Sequence, residues 1–172
     1  MPHSKDTSMA NAEFPIAHLP VGEGTLAISP CPGVKTSYEH GLQTLITFGP
    51  SIVISMTTLE EMRDIGAQTL PEDLARNDIK WLHFSVQDYD AASPEAEPIW
   101  AVISQTVRIA LGEGQKVLVH CKGGCGRSGM VALRIMVEHG EDPQAALTQL
   151  RDVRPCACET KSQTDWAMMI GQ

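Results

Sequence analysis

The sequence lacks any stretch that approaches the roughly 20 consecutive apolar residues that a membrane-spanning helix requires. Its N-terminus has no long apolar core behind a basic start, so no secretory signal is predicted and a cytoplasmic location is expected. Basic residues are also few, since 13 Lys and Arg face 21 Asp and Glu and the formal net charge is −8. This charge disfavours nonspecific attraction to nucleic acid or anionic lipid. We therefore expect neither a nucleic-acid partner nor membrane insertion.

The cysteines are odd in number and scattered through a chain without a predicted export signal, which argues against a framework of disulfides. The five thiols, which we expect to be reduced, are those of Cys31, Cys121, Cys125, Cys156 and Cys158. The chain of 172 residues shows no internal repeat and has a length typical of a single domain. We expect residues 1–20 to form a flexible N-terminal segment and residues 21–172 to form the domain.

Strand and helix signals alternate along the chain. Apolar runs rich in β-branched residues predict buried strands over residues 51–56, 80–86 and 116–120, with a weaker one over 25–29. Between them, helix starts are predicted at Thr58, at Ser93 and at Asp142 from capping and proline signals. The alternation predicts an α/β fold with a mainly parallel central sheet and helices on both faces.

The segment VLVHCKGGCGRSG, residues 117–129, interrupts a buried strand with three glycines and then opens a helix. A loop of this kind turns consecutive backbone amides inward and adds the positive end of the helix, which makes an anion-binding cradle. Arg127 adds a planar fork suited to two phosphate oxygens. The predicted phosphate-binding residues are therefore Lys122, Gly123, Gly124, Cys125, Gly126 and Arg127.

Cys121 lies at the carboxyl end of the predicted strand, where parallel sheets bind their ligands. A thiol that faces a helix N-terminus and a guanidinium is expected to be a nucleophilic thiolate near neutral pH. The hydroxyl of Ser128 is placed to donate to that sulfur, and the ring of His120 is placed to fix the loop. A thiolate and a phosphate site in one loop indicate phosphoryl transfer through a cysteinyl-phosphate.

HCKGGCGRS, residues 120–128, resembles the H-C-x5-R-S/T signature of the protein tyrosine and dual-specificity phosphatases. The segments LHFSVQD, LRDVR and ETKSQ are similar to the kinase-associated phosphatase branch of that superfamily. The resemblance implies a phosphatase that needs neither cofactor nor metal and acts on a phosphoprotein or another phosphomonoester. It implies Cys121 as the nucleophile, Arg127 as the phosphate clamp and Ser128 as the group that assists release of the thiolate.

The resemblance also implies an aspartate that protonates the leaving oxygen from a loop before the active-site strand. Asp88 directly follows WLHFSVQ and Asp90 lies two residues further on. Alignment of LHFSVQD favours Asp88, and Asp90 remains the alternative. In the larger members of the family, two glutamines four residues apart position the hydrolytic water, and here Glu159 and Gln163 have that spacing. A plain solvent-facing helix start is at least as good an interpretation for either residue.

The roles of Lys122 and of the cysteines near the loop leave alternatives open. Lys122 favours a highly charged substrate or is a solvated surface lysine. Cys125 is either inert or able to capture an oxidised Cys121, for which Cys31 is another candidate partner. A four-thiolate zinc site built from Cys121, Cys125, Cys156 and Cys158 is disfavoured because it would place Arg127 beside a cation.

Two other classes of function compete with a protein phosphatase. A phosphoinositide or small-molecule phosphatase would use the same loop. A rhodanese-like or redox thiol protein would use Cys121 without needing Ser128 or an upstream acid. A noncatalytic phosphopeptide reader is disfavoured because both Cys121 and Arg127 are present. The oligomeric state is not predicted.

Overall fold

The computed structural model describes residues 13–169, which build a five-stranded sheet covered by helices. The strands are β1 (Ala17–Val21), β2 (Gly24–Ser29), β3 (Ile52–Ser55), β4 (Lys80–His83) and β5 (Lys116–His120). Their spatial order is β1-β2-β5-β3-β4. In this sheet the β1–β2 pair is antiparallel, and the other three pairs are parallel. The prediction of a mainly parallel sheet is confirmed.

Seven α-helices lie within these residues. They are α1 (Tyr38–Phe48), α2 (Leu59–Ile65), α3 (Leu70–Ala75), α4 (Glu97–Gly112), α5 (Gly126–Glu138), α6 (Pro143–Val153) and α7 (Lys161–Met168). A short 3₁₀ turn, Pro94–Ala96, precedes α4. The start of α2 confirms the capping box predicted from the sequence, because the Thr58 hydroxyl accepts from the Glu61 amide while the Glu61 carboxylate accepts from the Thr58 amide.

Alternate residues of each strand face opposite layers of the core. In β5, Val117 and Val119 join the cluster formed with α4, α5 and α7, whereas Leu118 joins the cluster formed with α1, α2 and α3. The apolar runs of the central strands therefore reflect burial on both faces. This arrangement places the carboxyl ends of β2, β5 and β3 side by side at one edge of the sheet.

Some parts of the fold begin or end at different residues from those that the sequence predicted. Ala17–Val21 form a strand and Phe14 is buried, so the folded part begins upstream of the expected boundary at residue 21. Residues 1–12 of the expected flexible segment lie outside the described residues. β4 ends at His83 because the chain then leaves the sheet as the loop that carries Asp88. Within residues 13–169, no helix is long and apolar enough to cross a membrane.

Candidate active site

The loop between β5 and α5, residues 121–125, lies at the carboxyl edge of the sheet. Cys121 follows the last residue of β5 and is 3% exposed. Gly124 has φ +73°, and a Cβ at this position would lie 2.7 Å from the backbone of Ser29 and Pro30. Only glycine satisfies both the left-handed backbone and the close approach of the strand β2 end. The loop between β5 and α5 is thus packed tightly against the end of β2.

The backbone carbonyls of residues 121–124 are all turned away from the loop interior by external donors. His120 Nδ1 donates to Cys121 O (3.0 Å), and the Cys31 amide donates to Lys122 O (3.0 Å). Arg154 donates from Nη2 to Gly123 O (2.9 Å) and from Nε to Gly124 O (2.8 Å). A trans peptide places its C=O and the following N–H in opposite directions. The amides of residues 122–125 therefore converge on the loop interior, and none of them finds an acceptor in the described residues.

A chain of hydrogen bonds fixes the ring of His120. Trp81 Nε1 donates to Ser55 Oγ (2.8 Å), and Ser55 Oγ is hydrogen-bonded to His120 Nε2. Complete burial lowers the pKa of His120 to about 4, so the ring is neutral and carries one proton. Because Cys121 O can only accept, that proton is on Nδ1, and Nε2 accepts from Ser55. The histidine predicted to fix the loop is therefore held from β3 and β4.

Arg127 is buried in the first turn of α5 and forms a double ion pair with Glu61. Its Nη1 lies 2.8 Å from Glu61 Oε2 and its Nη2 lies 2.9 Å from Glu61 Oε1. Nη1 also donates to Val86 O (2.9 Å). Burial acts to raise the pKa of Glu61, but hydrogen bonds from Arg127 and from the Thr58 amide outweigh it, so the pKa is lowered. Burial acts to lower the pKa of Arg127, but Glu61 outweighs that effect and raises it.

Two buried polar atoms of α5 have no hydrogen-bond partner among residues 13–169. They are Arg127 Nε and Ser128 Oγ. Burying a donor without a partner is costly, and such atoms are often found where a ligand binds. Arg127 and Ser128 were both predicted from the sequence to take part in the reaction. Both lie at the end of α5 that faces Cys121.

The two candidate acids differ in their position relative to Arg127. Asp88 Oδ1 lies 3.5 Å from Arg127 Nη2, with the Asp88 side chain 47% exposed. The side chain of Asp90 makes no ion pair in the part of the chain that the structure describes. Its backbone oxygen accepts from Gln163 Nε2 (3.3 Å). The geometry therefore favours Asp88 over Asp90 as the candidate acid, because of the two only the Asp88 side chain lies beside Arg127 among the described ion pairs.

Glu159 and Gln163 both lie against the loop, but they are already hydrogen-bonded. Glu159 Oε1 accepts from the Gly126 amide (2.8 Å). Gln163 is buried, and its Oε1 accepts from the amides of Glu159 (2.8 Å) and Thr160 (3.2 Å). Gln163 thus caps α7, which supports the interpretation of a helix start. The expectation that this residue faces solvent was wrong, because its side chain is buried against the loop. The side chain of Lys122 is exposed.

The cysteines depart from the expectation of five reduced thiols. Cys125 and Cys156 form a disulfide, with their Cα atoms 5.1 Å apart. Cys31, Cys121 and Cys158 are free. The prediction that all five thiols are reduced was therefore wrong, because two cysteines separated by 31 residues are brought together by the loop after α6. A four-thiolate zinc site would need both bonded sulfurs, so it does not fit this arrangement.

Cys31 is close to Cys121, but its thiol is not activated. Burial, followed by the negative charges of Cys121 and Glu61, raises the pKa of Cys31 to about 12. Burial likewise raises the pKa of Cys158 to about 11. Both are therefore protonated at neutral pH and are weak nucleophiles.

Among the residues that the structure describes, no group of three or more His, Cys, Asp or Glu side chains is arranged to hold a metal ion.

Sequence reasoning missed three contributors to the site: Glu61, Arg154 and the Trp81–Ser55 pair. Glu61 was visible as part of a capping box, and Arg154 was visible in LRDVR, but neither pattern indicates a partner in the loop. Each contact is made between residues that are far apart in sequence.

Comparison with known proteins agrees with the geometry. Residues 23–166 match the family described as "PTP-SAK: Swiss Army Knife protein, DSP-PTPase phosphatase domain". The chain therefore belongs to this family of dual-specificity and tyrosine phosphatase domains, which confirms the resemblance seen in HCKGGCGRS.

Individual relatives are more distant. Cyclin-dependent kinase inhibitor 3 of Mus musculus is 26% identical over 122 residues, which is 70% of this chain and 56% of that protein. Protein phosphatase Slingshot homolog 3 of Mus musculus is 31% identical over 77 residues, which is 44% of this chain and 12% of that protein. The chain thus spans at most 56% of the length of these relatives.

The fold is similar to that of solved phosphatase structures. Kinase associated phosphatase (KAP), crystallised with its catalytic-site cysteine replaced by serine, superimposes with a TM-score of 0.80. The two chains are 21% identical, and the match covers 91% of this chain and 93% of that one. At this identity the likeness establishes the fold, and the kinase-associated branch named from the sequence is represented among the neighbours.

Proposed function

We propose that this protein hydrolyses phosphomonoesters on phosphoproteins through a cysteinyl-phosphate, as a protein tyrosine or dual-specificity phosphatase. The observation that carries the proposal is the direction of the loop peptides. The carbonyls of residues 121–124 accept from donors outside the loop, so the amides of residues 122–125 face the loop interior, beside Cys121 and Arg127, with no acceptor in the described residues. Such a set of donors stabilises the charge on the equatorial oxygens of a transferring phosphoryl group.

The first chemical step transfers the phosphoryl group to sulfur. The Cys121 thiolate attacks phosphorus, the S–P bond forms and the bond from phosphorus to the leaving oxygen breaks. Asp88, 3.5 Å from Arg127 Nη2, gives its proton to that oxygen. The hydroxyl of Ser128 donates a hydrogen bond to the developing sulfur charge in the second step.

The second step reverses these roles. Asp88, now a carboxylate, takes a proton from water while the water oxygen attacks phosphorus. The S–P bond breaks, Cys121 returns to the thiolate and inorganic phosphate leaves. Throughout, Arg127 is held by Glu61 and Val86. Its Nε–H, which has no partner among residues 13–169, is free to meet a phosphate oxygen.

Turnover of p-nitrophenyl phosphate tests this proposal directly. With reductant and chelator present, the wild-type protein should release p-nitrophenol and Cys121→Ser should not. Activity that persists in Cys121→Ser would rule out the cysteinyl-phosphate. No turnover by either protein would favour the rhodanese-like alternative, which thiosulfate consumption would then reveal. The cytoplasmic location and the absence of a nucleic-acid partner remain predictions from charge and sequence.

A further inference from the structure

The segment that follows α6 holds the phosphate-binding loop from behind. Arg154 binds the carbonyls of Gly123 and Gly124 with one guanidinium, at 2.9 and 2.8 Å. Two residues further on, Cys156 is joined by a disulfide to Cys125, the next residue of the loop. Residues 154–156 thus contact three consecutive residues of the loop, and we call this segment the clamp.

These contacts act on the part of the loop that is least able to hold its own conformation. Gly123 and Gly124 have no side chains, and glycine loses more backbone freedom on ordering than any other residue. A rotation of the Gly123–Gly124 peptide would turn a carbonyl oxygen toward the phosphate in place of an amide. Arg154 opposes this rotation because its guanidinium accepts nothing and can only pair with the carbonyl side of the peptide.

The disulfide adds a covalent tether next to the same peptides. It fixes the position of Cys125, whose amide is the last of the four that converge on the loop interior. Cys156 is exposed, so the bond is accessible to thiols and disulfides in solution. Exposed disulfides are typically those that can be reduced and re-formed.

We propose that Arg154 and Cys156 are positioning residues that orient the amides of the phosphate-binding loop, and that the Cys125–Cys156 bond makes phosphate affinity depend on thiol oxidation. This inference rests on the proposed function of the loop. The oxidant is a small-molecule disulfide such as oxidised glutathione. Two exchanges form the protein S–S bond, and the two thiol protons and two electrons end on two molecules of glutathione.

The test measures binding of inorganic phosphate by calorimetry in the Cys121→Ser background, where the nucleophile cannot be oxidised. The protein is compared after treatment with oxidised glutathione and after reduction, with intact mass reporting the state of the disulfide. Reduction should weaken phosphate binding about five- to tenfold, the order expected when the backbone of one residue must be ordered again on binding.

Two matched variants isolate the disulfide. Cys121→Ser/Cys156→Ser should bind phosphate as the reduced protein does, whatever the treatment. Cys121→Ser/Cys158→Ser should keep the response to reduction, because Cys158 is free. Equal affinity in the oxidised and reduced states, with the bond shown to be open in one of them, would overturn the redox dependence. So would the finding that Cys125 and Cys156 are both free after oxidation.

Arg154 is tested against its neighbour Arg151 in the same Cys121→Ser background. Arg151 donates to Ala157 O and Cys158 O and makes no hydrogen bond to the phosphate-binding loop among the described residues. Arg154→Gln should weaken phosphate binding in both redox states, whereas Arg151→Gln should retain it. Equal phosphate binding by the two variants would overturn the positioning role proposed for Arg154. Turnover by the wild-type protein is measured in parallel. If the protein turns over substrate while the two variants bind phosphate equally, the positioning role of Arg154 fails and the proposed chemistry stands.

Discussion

Glu61 Oε2 accepts hydrogen bonds from two donors at once, Arg127 Nη1 and the backbone amide of Thr58, each at 2.8 Å. One carboxylate therefore completes the capping box of α2 and also binds the buried Arg127 of α5. The orientation of the guanidinium is set by the start of a helix that lies outside the signature segment.

Replacing Glu61 by Gln should lower kcat/KM by about 10- to 100-fold, since a charge-assisted pair to a buried group contributes about 1.5–3 kcal/mol. The physical reason is that a neutral amide cannot accept from both Nη atoms, so Arg127 loses its fixed orientation. Steady-state kinetics on p-nitrophenyl phosphate measures the effect. Glu60→Gln, on the exposed side of the same helix, is the matched control and should behave as wild type.

Replacing Asp88 by Asn should lower kcat on an alkyl phosphate by at least about 100-fold, the usual contribution of a general acid. The amide side chain of this variant could not supply the proton that the leaving oxygen needs. On p-nitrophenyl phosphate, whose leaving group is a weak base, the loss should be smaller. Asp90→Asn is the control, and a larger loss in this variant than in Asp88→Asn would mean that the acid has been assigned to the wrong residue.

The protein should lose stability as the pH falls from about 6.5 toward about 4, partly because of His120. Burial lowers the pKa of the folded ring to about 4, while the unfolded ring titrates near its usual value of 6.5. Between these values the unfolded chain binds the extra proton, so acid favours unfolding by up to about 1.4 kcal/mol per pH unit from this group.

Urea unfolding at several pH values between neutral and acid conditions measures this slope. Comparison of wild type with His120→Asn cancels the contribution of the other groups, and the variant should show the smaller dependence. His40→Gln, at an exposed histidine of α1, should keep the wild-type slope. Equal slopes in His120→Asn and wild type would show that the ring is not the group responsible.

Gly124→Ala should be far more destabilising than Gly123→Ala. At Gly124 the added Cβ meets the Ser29 and Pro30 backbone at 2.7 Å and the residue has φ +73°, whereas at Gly123 nothing lies within 4 Å. Backbone strain of this kind costs on the order of 1–3 kcal/mol before the clash is counted. Thermal unfolding compares the two variants, and similar melting temperatures would contradict the tight packing of the loop against β2.

The sequence predicts best what is contiguous. Strand β5, the glycine loop and α5 follow one another without interruption, so their order alone indicated a cradle with Cys121 and Arg127. The same is true of the capping box at Thr58, whose two partners are three residues apart. At α7 the spacing of Glu159 and Gln163 left two interpretations open, a helix start and a pair of residues that positions water, and the structure has the helix start at Lys161.

Contacts between distant segments could not be predicted in the same way. The connectivity of a disulfide is not encoded by cysteine spacing, since Cys125 and Cys156 meet only once α6 has packed against α5. The role of Glu61 depends on the β3–α2 connection, which brings the start of α2 beneath Arg127. Ser55 and Trp81 reach His120 only because β3 lies between β4 and β5 in the sheet.

The loop that carries Asp88 is attached to the body of the protein on both sides of that residue. Val86 O accepts from Arg127 Nη1, and Asp90 O accepts from Gln163 Nε2. In the proposed mechanism Asp88 is the proton donor, and these two anchors hold its loop in place before the substrate arrives. Each catalytic cycle should therefore proceed without a slow closing motion, and its rate should respond little to the viscosity of the solvent.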